Sequence, residues 1–280
     1  MLVFTRNSDI QNTLANDKRL SKSIGFVPTM GALHDGHIHL VKKALEVCDC
    51  VVVSIFVNPR QFNNANDLAM YPRTLENDIS LLEKVDCHYL YAPDESEVYQ
   101  NEGIQDWDFG NLMKTMEGEH RPGHFNGMLT VVHQLLSIIQ PHHLFMGEKD
   151  FQQAALVRCL LSSHHKDIEF HLVNTVREPD GLAMSSRNVL LSLNERKLAM
   201  MIPSALKKLA ACSDLTSCVQ AITSVSEELI SSGIKVDYLQ LRNEVDLSAI
   251  TNVDGAKRCR LFFAGYVGRV RLIDNMALHF

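Results

Sequence analysis

The sequence lacks the excess of basic residues that a general nucleic-acid surface requires. Its 280 residues include 27 Lys and Arg against 33 Asp and Glu, which gives a net charge of -6 at pH 7 with histidine neutral. Binding along a nucleic-acid backbone depends on a surplus of positive side chains that neutralise the phosphates. The composition therefore favours small-molecule substrates, and we expect no nucleic-acid partner.

Long apolar runs are also absent. No uninterrupted apolar stretch approaches the ~20 residues that a bilayer-spanning helix needs. The first nine residues, Met-Leu-Val-Phe-Thr-Arg-Asn-Ser-Asp, become polar before an apolar core of signal-peptide length can form. We therefore expect a cytoplasmic protein with no membrane partner.

The sequence contains neither a Cys-x-x-Cys pair nor the Gly-x-x-x-x-Gly-Lys-Ser/Thr pattern of a P-loop. Its seven cysteines are an odd number, and most lie within apolar patterns, as Cys48, Cys50, Cys87 and Cys159 do. This distribution predicts reduced thiols in the core and not disulfides or a zinc site.

What the sequence does have is the apolar pattern of an α/β protein with two domains. In residues 1–175, strand-like runs alternate with amphipathic helical stretches, and this pattern predicts a Rossmann-like, doubly wound parallel sheet. The predicted helices cover 10–23, 36–47, 74–84, 125–139 and 151–162, and the predicted strands cover 24–28, 50–57, 87–92, 142–146 and 168–173. We expect Asp150 to cap the last of these helices, and the section between 93 and 119 has no assigned structure.

Residues 176–280 predict a second, smaller α+β domain. Helical stretches at 192–211 and 215–232 precede strand-like segments at 236–241, 260–264 and 270–273. Strands that follow one another through turns such as Asp254-Gly255 are typical of an antiparallel sheet. We expect this domain to close over the ligand site of the first.

The chain is organised around residues 24–37, Ile-Gly-Phe-Val-Pro-Thr-Met-Gly-Ala-Leu-His-Asp-Gly-His. This stretch predicts a strand, a glycine-containing turn and the start of a helix. A helix N-terminus offers unpaired N–H groups and a positive dipole end, so it can hold an anion such as phosphate. His34 and His37 are three residues apart and share one helical face, and Gly36 leaves room for a polyphosphate near the backbone.

Three further polar segments follow predicted strands, on the side where ligands bind in open α/β sheets. They are the loop 58–66, the segment 147–150 with Lys149, and the loop 177–187 with two serines and Arg187. Taken alone, a loop lysine is usually solvated surface, and the last loop is compatible with a domain linker whose arginine is solvated. Their common position nevertheless predicts a ligand crevice.

Six motifs together resemble those of one known family. They are 28–37 (Pro-Thr-Met-Gly-Ala-Leu-His-Asp-Gly-His), 54–62 (Ser-Ile-Phe-Val-Asn-Pro-Arg-Gln-Phe), 71–74 (Tyr-Pro-Arg-Thr), 121–125 (Arg-Pro-Gly-His-Phe), 147–153 (Gly-Glu-Lys-Asp-Phe-Gln-Gln) and 184–188 (Met-Ser-Ser-Arg-Asn). In this order they are similar to the pantothenate synthetase, or pantoate–β-alanine ligase, family of His-x-Gly-His nucleotidyltransferases. The likeness runs from about residue 20 to the segment 271–275.

The resemblance implies an ATP-dependent condensation of (R)-pantoate with β-alanine through a pantoyl adenylate, which releases pantothenate, AMP and pyrophosphate. It also implies Mg²⁺ as a cofactor and a cytosolic homodimer.

The resemblance assigns roles to individual residues as well. The implied ATP-binding residues are Met30, Gly31, Ala32, Leu33, His34, Asp35, Gly36, His37, Gly147, Glu148, Lys149, Asp150, Val176, Met184, Ser185, Ser186 and Arg187. The implied catalytic groups, which neutralise charge on the phosphates, are His34, His37, Lys149, Ser185, Ser186 and Arg187. Gln61 and Gln153 would hold pantoate, Gln61 would also border β-alanine, and Asp78 would be a protein ligand of the magnesium ion.

Some residues depart from the family's usual choices. Arg60 stands beside Gln61 where the family usually has an apolar residue, and His120, Asn126 and the pair His142-His143 are unusual. None of these changes removes a group that the chemistry needs, although they leave the shape of the pantoate pocket open.

Two other functional classes remain possible from the sequence. A nucleotidyltransferase of the same fold that acts on a phosphate would be expected to offer an arginine cluster in place of Gln61 and Gln153. A non-catalytic nucleotide-binding module should have lost at least one of His34, His37 and Lys149, and all three are present.

Overall fold

A computed structural model describes residues 1–63, 65–100, 103, 105–250 and 258–278. Its N-terminal part contains the strands β1 (Leu2–Phe4), β2 (Ile24–Thr29), β3 (Cys50–Ile55), β4 (Tyr89–Tyr91), β5 (His143–Gly147) and β6 (Glu169–Val173). These strands form one parallel sheet in the order β1-β4-β3-β2-β5-β6. The predicted α/β fold is therefore confirmed, and the order reverses between β2 and β5, where such sheets open a ligand crevice.

Helices cover both faces of this sheet. They are α1 (Asn7–Arg19), α2 (Asp35–Val47), α3 (Ala65–Met70), α4 (Leu75–Glu83), α5 (Glu95–Tyr99), α6 (Glu117–His120), α7 (His124–Ile139) and α8 (Phe151–His164). Apolar side chains of α1, α7 and α8 pack on one face, and those of α2 and α4 pack on the other. Because β3 is buried on both faces, its sequence is rich in valine and does not alternate between apolar and polar residues.

Several local predictions in this part are corrected by the structure. Strand β1 was not predicted, because three residues at a sheet edge are too few to show a strand pattern. Helix α1 starts earlier than predicted and ends at Arg19, just before Ser21 takes a positive φ of 57°. The unassigned section before residue 120 contains the short helices α5 and α6. Asp150 occupies the N-cap position of α8, but its side chain makes no capping hydrogen bond.

The C-terminal part is the predicted smaller α+β unit. It contains α9 (Leu193–Ala199), α10 (Met201–Ala210) and α11 (Leu215–Ser231), followed by the antiparallel strands β7 (Lys235–Asn243), β8 (Cys259–Val267) and β9 (Val270–Leu278). The single helix predicted for 192–211 is instead two helices that meet at Met200. Pro203 lies in the first turn of α10, where its missing N–H costs no helical bond. The predicted turn at Asp254-Gly255 lies outside the described residues.

Polar contacts hold the C-terminal sheet against the N-terminal part. Arg271 donates two 2.8 Å hydrogen bonds to the carboxylate of Glu117, and the buried Arg260 donates one of 2.8 Å to Glu148. These pairs place β8 and β9 beside the segment that carries Lys149. A domain boundary at residue 175 remains a prediction.

Two further findings concern membrane-spanning helices and the cysteines. No helix within the described ranges is long and apolar enough to cross a membrane. Five of the seven cysteines are buried, as the sequence predicted, whereas Cys159 is only half-buried.

Candidate active site

A tight turn after β2 forms one wall of the candidate site. Gly31 and Ala32 both have positive φ values, 79° and 49°, and a Cβ atom at Gly31 would come within 2.9 Å of the Ile55 side chain. The carboxylate of Asp78, which is fully buried, accepts hydrogen bonds from the N–H groups of Ala32 (2.9 Å) and Leu33 (2.8 Å). The turn is therefore fixed from beneath by one side chain of α4.

This arrangement gives Asp78 a structural task besides the role of magnesium ligand that the resemblance implies. Besides the two backbone N–H groups, the Thr74 hydroxyl donates to the same carboxylate at 3.1 Å. Both oxygens of Asp78 are thus engaged in shaping the turn under the site. Asp78 therefore positions the turn, and its role as a magnesium ligand stays a prediction.

His34 and His37 lie side by side at the N-terminus of α2. The backbone N–H of Gly36 donates to His34 Nδ1 at 3.1 Å, and the backbone N–H of His34 approaches His37 Nδ1 at 3.4 Å. Since both Nδ1 atoms accept, the neutral rings carry their proton on Nε2 and can donate from there. The two ring centroids are 4.0 Å apart.

Both histidines are held in the neutral form. Burial, with the nearby charge of Lys149, lowers the pKa of His34 to about 4. Burial, His34 and Lys149 lower the pKa of His37 well below its usual range. At neutral pH the pair therefore offers N–H donors and no positive charge.

Gly36 lies against the ring of His34 and lines the candidate site. A Cβ atom at this position would lie 2.9 Å from Cε1 and Nδ1 of His34. A side chain at this position would therefore meet the capping ring, and the close approach of a polyphosphate to Gly36 stays a prediction.

The segment after β5 brings Lys149 to the same crevice. Its backbone is held from the C-terminal unit, because Asn275 Nδ2 donates to the carbonyls of Glu148 (3.0 Å) and Lys149 (2.8 Å). The Glu148 side chain forms an ion pair with Arg260, and the predicted contact of Glu148 with ATP stays a prediction. The sequence gives no sign of these supporting roles of Arg260 and Asn275, since each acts across more than one hundred residues of chain.

The loop 184–187 forms the opposite wall. Ser186 Oγ lies 3.2 Å from the hydroxyl of Tyr71, and Arg187 Nη2 donates to Asp67 at 3.1 Å. The loop starts from a hydrogen bond of 3.0 Å between the Met184 N–H and the Val176 carbonyl. Tyr71 was noted only as part of a motif, and the structure now places it at the site.

These walls enclose a cavity of about 1250 Å³, measured with its open mouth. The predicted residues that line it are Met30, His34, Gly36, His37, Gln61, Gly147, Lys149, Asp150, Gln153, Val176, Met184, Ser185, Ser186 and Arg187. Of the other predicted ATP contacts within the described chain, Gly31, Ala32, Leu33, Asp35 and Glu148 stand outside the lining. Leu33 packs in the apolar core, and Asp35 is exposed at the start of α2.

Gln61 is held in a fixed orientation by a residue that the sequence did not single out. Asn58, which is 1% exposed, donates from Nδ2 to Gln61 Oε1 at 3.0 Å and receives a 2.6 Å hydrogen bond from the Tyr99 hydroxyl. Gln61 Nε2 lies 3.0 Å from the sulfur of Met30. Gln61 and Gln153 both line the first cavity and a neighbouring one.

The second cavity, of about 670 Å³, lies between this junction and the C-terminal sheet. It shares Met30, Gln61, Lys149, Asp150, Gln153 and Arg187 with the first. Arg121 lines it and contacts Glu117 at 3.5 Å. Burial alone would raise the pKa of Glu117, but the hydrogen bonds and charge of Arg271 outweigh burial and hold the pKa at about 2. Glu117, Arg121 and Arg271 in this wall are therefore all charged at neutral pH.

His124 links Arg121 to Gln61. Its Nδ1–H donates to the Gln61 carbonyl at 2.8 Å, and its Nε2 accepts from Arg121 Nη1 at 3.1 Å. With both nitrogens used in this way the ring is neutral. Burial, reinforced by the charge of Arg121, lowers the pKa of His124 to about 4.

We expect this histidine to make folding sensitive to acid. An unfolded histidine binds a proton near pH 6.5, whereas the folded His124 does so only near 4, so stability is lost as the pH falls through this window. When the pH falls from 7.5 to 5.0, His124 should lower the free energy of unfolding by about 2 kcal/mol, at about 1.4 kcal/mol per pKa unit.

Urea unfolding at the two pH values measures this contribution. In the His124→Asn variant the free energy of unfolding should differ less between the two pH values than in the parent, by up to about 2 kcal/mol. The control His39→Asn, on α2, should keep the parent's pH dependence. An undiminished difference in the His124 variant would show that this ring does not cause the acid sensitivity.

Comparison with known proteins identifies a family and several relatives that this chain resembles. A family described as pantoate-beta-alanine ligase matches residues 2–277. The pantothenate synthetase of Azobacteroides pseudotrichonymphae is 42% identical over 271 residues, 96% of each chain, and that of Flavobacterium psychrophilum is 39% identical over 283 residues, 99% of this chain and all of the relative.

Solved structures agree with the sequence relatives. The pantothenate synthetase of Thermus thermophilus superposes with a TM-score of 0.91 at 35% identity, over the whole of both chains. A pantoate-beta-alanine ligase from Francisella tularensis gives a TM-score of 0.85 at 37% identity, over 99% of this chain and 97% of that one. The Francisella structure is described as a complex with beta-gamma ATP and beta-alanine.

Proposed function

The chain belongs to the pantoate-beta-alanine ligase family, and from this premise we propose how its two cavities carry out the ATP-dependent condensation of pantoate with β-alanine. The observation that carries the proposal is the junction of the cavities. The residues suited to phosphate lie on one side, an arginine-lined space lies on the other, and Gln61 and Gln153 stand between them.

ATP is assigned to the first cavity. Its phosphates would lie at the N-terminus of α2, where the positive end of the helix dipole and the Nε2 donors of His34 and His37 are available. Lys149, Ser185, Ser186 and Arg187 line the same cavity and would complete the set of donors and charges. Because residues from 176 onward form one wall, we propose that the C-terminal domain closes over the nucleotide.

Pantoate is assigned to the junction, on the amides of Gln61 and Gln153. Neutral amides both donate to and accept from hydroxyl and carboxylate groups, so they suit an acid that also carries hydroxyls. An arginine would bind the carboxylate more tightly, but it would also stabilise the anion that has to attack. The bond from Asn58 fixes the Gln61 oxygen and thereby sets which amide atom faces pantoate.

β-Alanine is assigned to the second cavity. Its carboxylate would be drawn to Arg121, and its amine would then point back to the junction with the first cavity. Glu117 balances Arg271 and Arg121 in this wall, which keeps a cation at the cavity without leaving buried charge unpaired.

The chemistry follows from the poor leaving group of a carboxylate, which an amine cannot displace as oxide. In the first step a pantoate carboxylate oxygen attacks the α-phosphorus of ATP, and the bond from that phosphorus to the bridging oxygen of pyrophosphate breaks. In the second step the amine of β-alanine attacks the acyl carbon of pantoyl adenylate, AMP leaves and the amine loses a proton. The protein's task is to position the reactants and to neutralise charge as it builds on the phosphates.

Mg²⁺ is proposed as the counter-ion of the phosphates. This ion usually keeps several waters and binds through substrate phosphates with one or two carboxylates. Asp150 fits that role, because its carboxylate is 48% exposed, lines both cavities and lies 3.7 Å from Lys149. When bound, the ion would lower the charge on the phosphates, while His34, His37 and Lys149 hold their position.

We also propose a cytoplasmic homodimer. Seven cysteines, most of them buried, suit a reducing compartment, and the exposed apolar side chains of Val189 and Leu193 offer surface that a partner protomer would cover. Sedimentation velocity on the full chain should give twice the mass of one chain, and a monomer at all concentrations would contradict the dimer.

Substrate omission tests the proposed reaction. AMP should form from ATP only when pantoate is present, and pantothenate should form only when β-alanine is added as well. AMP release that does not depend on pantoate would indicate a different acceptor.

We expect Gln153→Leu to raise the apparent KM for pantoate about 10- to 100-fold, since leaving polar groups unpaired costs about 1–3 kcal/mol. ATP affinity, measured by calorimetry, should stay nearly unchanged and serves as the internal control. With the parent chain, a pantoate analogue without the 2-hydroxyl should react more slowly in the first step by a similar factor. If the variant lost ATP affinity but handled pantoate normally, Gln153 would belong to the nucleotide site.

A further inference from the structure

Three side chains with metal-binding atoms converge at the edge of the parallel sheet. His143 begins β5, and it lies directly opposite Glu169, the first residue of the edge strand β6. His171 lies two residues further along β6, so the period of two that governs strands places it on the same face as Glu169. The strand register therefore brings two imidazoles and one carboxylate together. Because β5 and β6 begin here, the cluster is at the opposite end of the strands from Lys149.

The separations between the candidate ligand atoms match those around a single small cation. His143 Nδ1 lies 3.1 Å from His171 Nε2 and 3.4 Å from Glu169 Oε2, and His171 Nε2 lies 3.6 Å from Glu169 Oε1. Bonds of about 2.0–2.1 Å in a tetrahedron place neighbouring ligand atoms roughly 3.3 Å apart. All three residues keep their ligand atoms within 4.8 Å of one another.

We propose that His143, Glu169 and His171 form a binding site for a divalent transition-metal ion, with zinc as the best match. Imidazole nitrogen favours zinc and its neighbours in the transition series over magnesium or calcium, which prefer oxygen ligands throughout. Three protein ligands leave the fourth tetrahedral position to water. The site is separate from the ATP cavity and does not depend on the proposed reaction.

The surroundings of the cluster support a built site. The ring of His171 stacks on Phe145, with centroids 4.4 Å apart and ring planes at 8°, and this contact fixes the ring's orientation. Phe145 itself is 1% exposed and belongs to the core beneath the sheet. The histidine side chains are only 19% and 23% exposed, whereas that of Glu169 is 65% exposed, which gives an ion an entry path.

An ion at this position would join β6 to β5 at their N-terminal ends. β6 is the last strand of the sheet and continues into residues 174–176, which line the ATP cavity. The ion would therefore stabilise the strand that supports one wall of the active site. A ligand that binds only the folded chain raises its melting temperature in proportion to the logarithm of the ligand concentration.

Zinc titration of the full chain against a chromophoric chelator tests the proposal. The parent chain should bind one zinc ion at this site with micromolar or tighter affinity, and zinc should raise its melting temperature. The variants His171→Ala and Glu169→Gln should lose at least tenfold in affinity and most of the thermal shift. Cobalt in place of zinc should give the intense visible bands of a tetrahedral complex, and these bands should be absent from the His171 variant.

Two controls separate this site from other histidines. His165→Ala removes a ring from the similar His133–His165 contact of 2.9 Å, and His37→Ala removes a ring from the ATP cavity. Both should keep the zinc affinity and the cobalt bands. Circular dichroism should show that Glu169→Gln is folded, since that side chain is largely exposed. Equal zinc uptake by the parent and the His171 variant, or no uptake at micromolar zinc, would overturn the proposal.

Discussion

The His37→Ala variant is expected to exchange pyrophosphate into ATP about 10²- to 10³-fold more slowly than the parent chain, the usual cost of losing one preorganised donor to a developing oxyanion. The ring lines the ATP cavity, and its Nδ1 faces the His34 backbone, which leaves Nε2–H as the donor. Because its pKa lies well below the usual range, the expected loss is that of a neutral donor. Exchange at saturating ATP and pantoate measures the effect.

The fold of this variant should change little. The hydrogen bond between the His34 N–H and His37 Nδ1 is long, at 3.4 Å, so removing it should lower the melting temperature only slightly. His39→Ala, two residues along the same helix, is the matched control and should keep parental exchange. If melting collapsed in His37→Ala while the folded fraction turned over normally, His37 would be a structural residue.

Asp78→Ala is expected to lower both stability and activity. Its carboxylate is the acceptor for two backbone N–H groups and one hydroxyl in a buried turn, and a buried donor left unpaired costs about 1–3 kcal/mol. A loss of about 3 kcal/mol or more in urea unfolding should follow. Activity should fall at least tenfold even in the folded fraction, because the turn leads directly into His34.

The comparison with Asp78→Asn and with added magnesium separates positioning from metal binding. The amide keeps one oxygen acceptor and should restore part of the stability, and extra Mg²⁺ should rescue neither variant. Glu76→Ala, an exposed change in the same helix, should behave like the parent. Full activity of Asp78→Asn at raised magnesium with unchanged stability would support the role of Asp78 as a metal ligand.

The parts of the fold that the sequence predicted well are those with a local pattern. The buried strands β2 and β3 and the long helix α7 show continuous or periodic apolar residues, and all three were predicted to within two residues. Strand β1 has no such pattern, because its three residues depend on pairing with β4. The break at Met200 was missed because the apolar pattern continues across it.

The candidate site likewise contains residues that the sequence predicted and residues that it did not. The residues carried by motifs, such as His37, Lys149 and Gln153, come together at one cavity. The residues that hold them in place show no sign of that supporting role in the sequence around them. Asn58 orients Gln61 from three residues away, but Asn275 supports the Lys149 backbone across 126 residues of chain. Only the folded chain shows such support, and only the folded chain shows that Asp78 is used beneath the turn.

The most direct measurement of the proposed mechanism is the exchange of labelled pyrophosphate into ATP with pantoate present and β-alanine absent. A site that forms pantoyl adenylate needs no amine for its first step, and the first cavity contains the donors that we propose for the phosphates beside Gln61 and Gln153. We predict exchange under these conditions, with none when pantoate is omitted. Exchange that strictly required β-alanine would indicate a concerted reaction and would contradict the two-step mechanism.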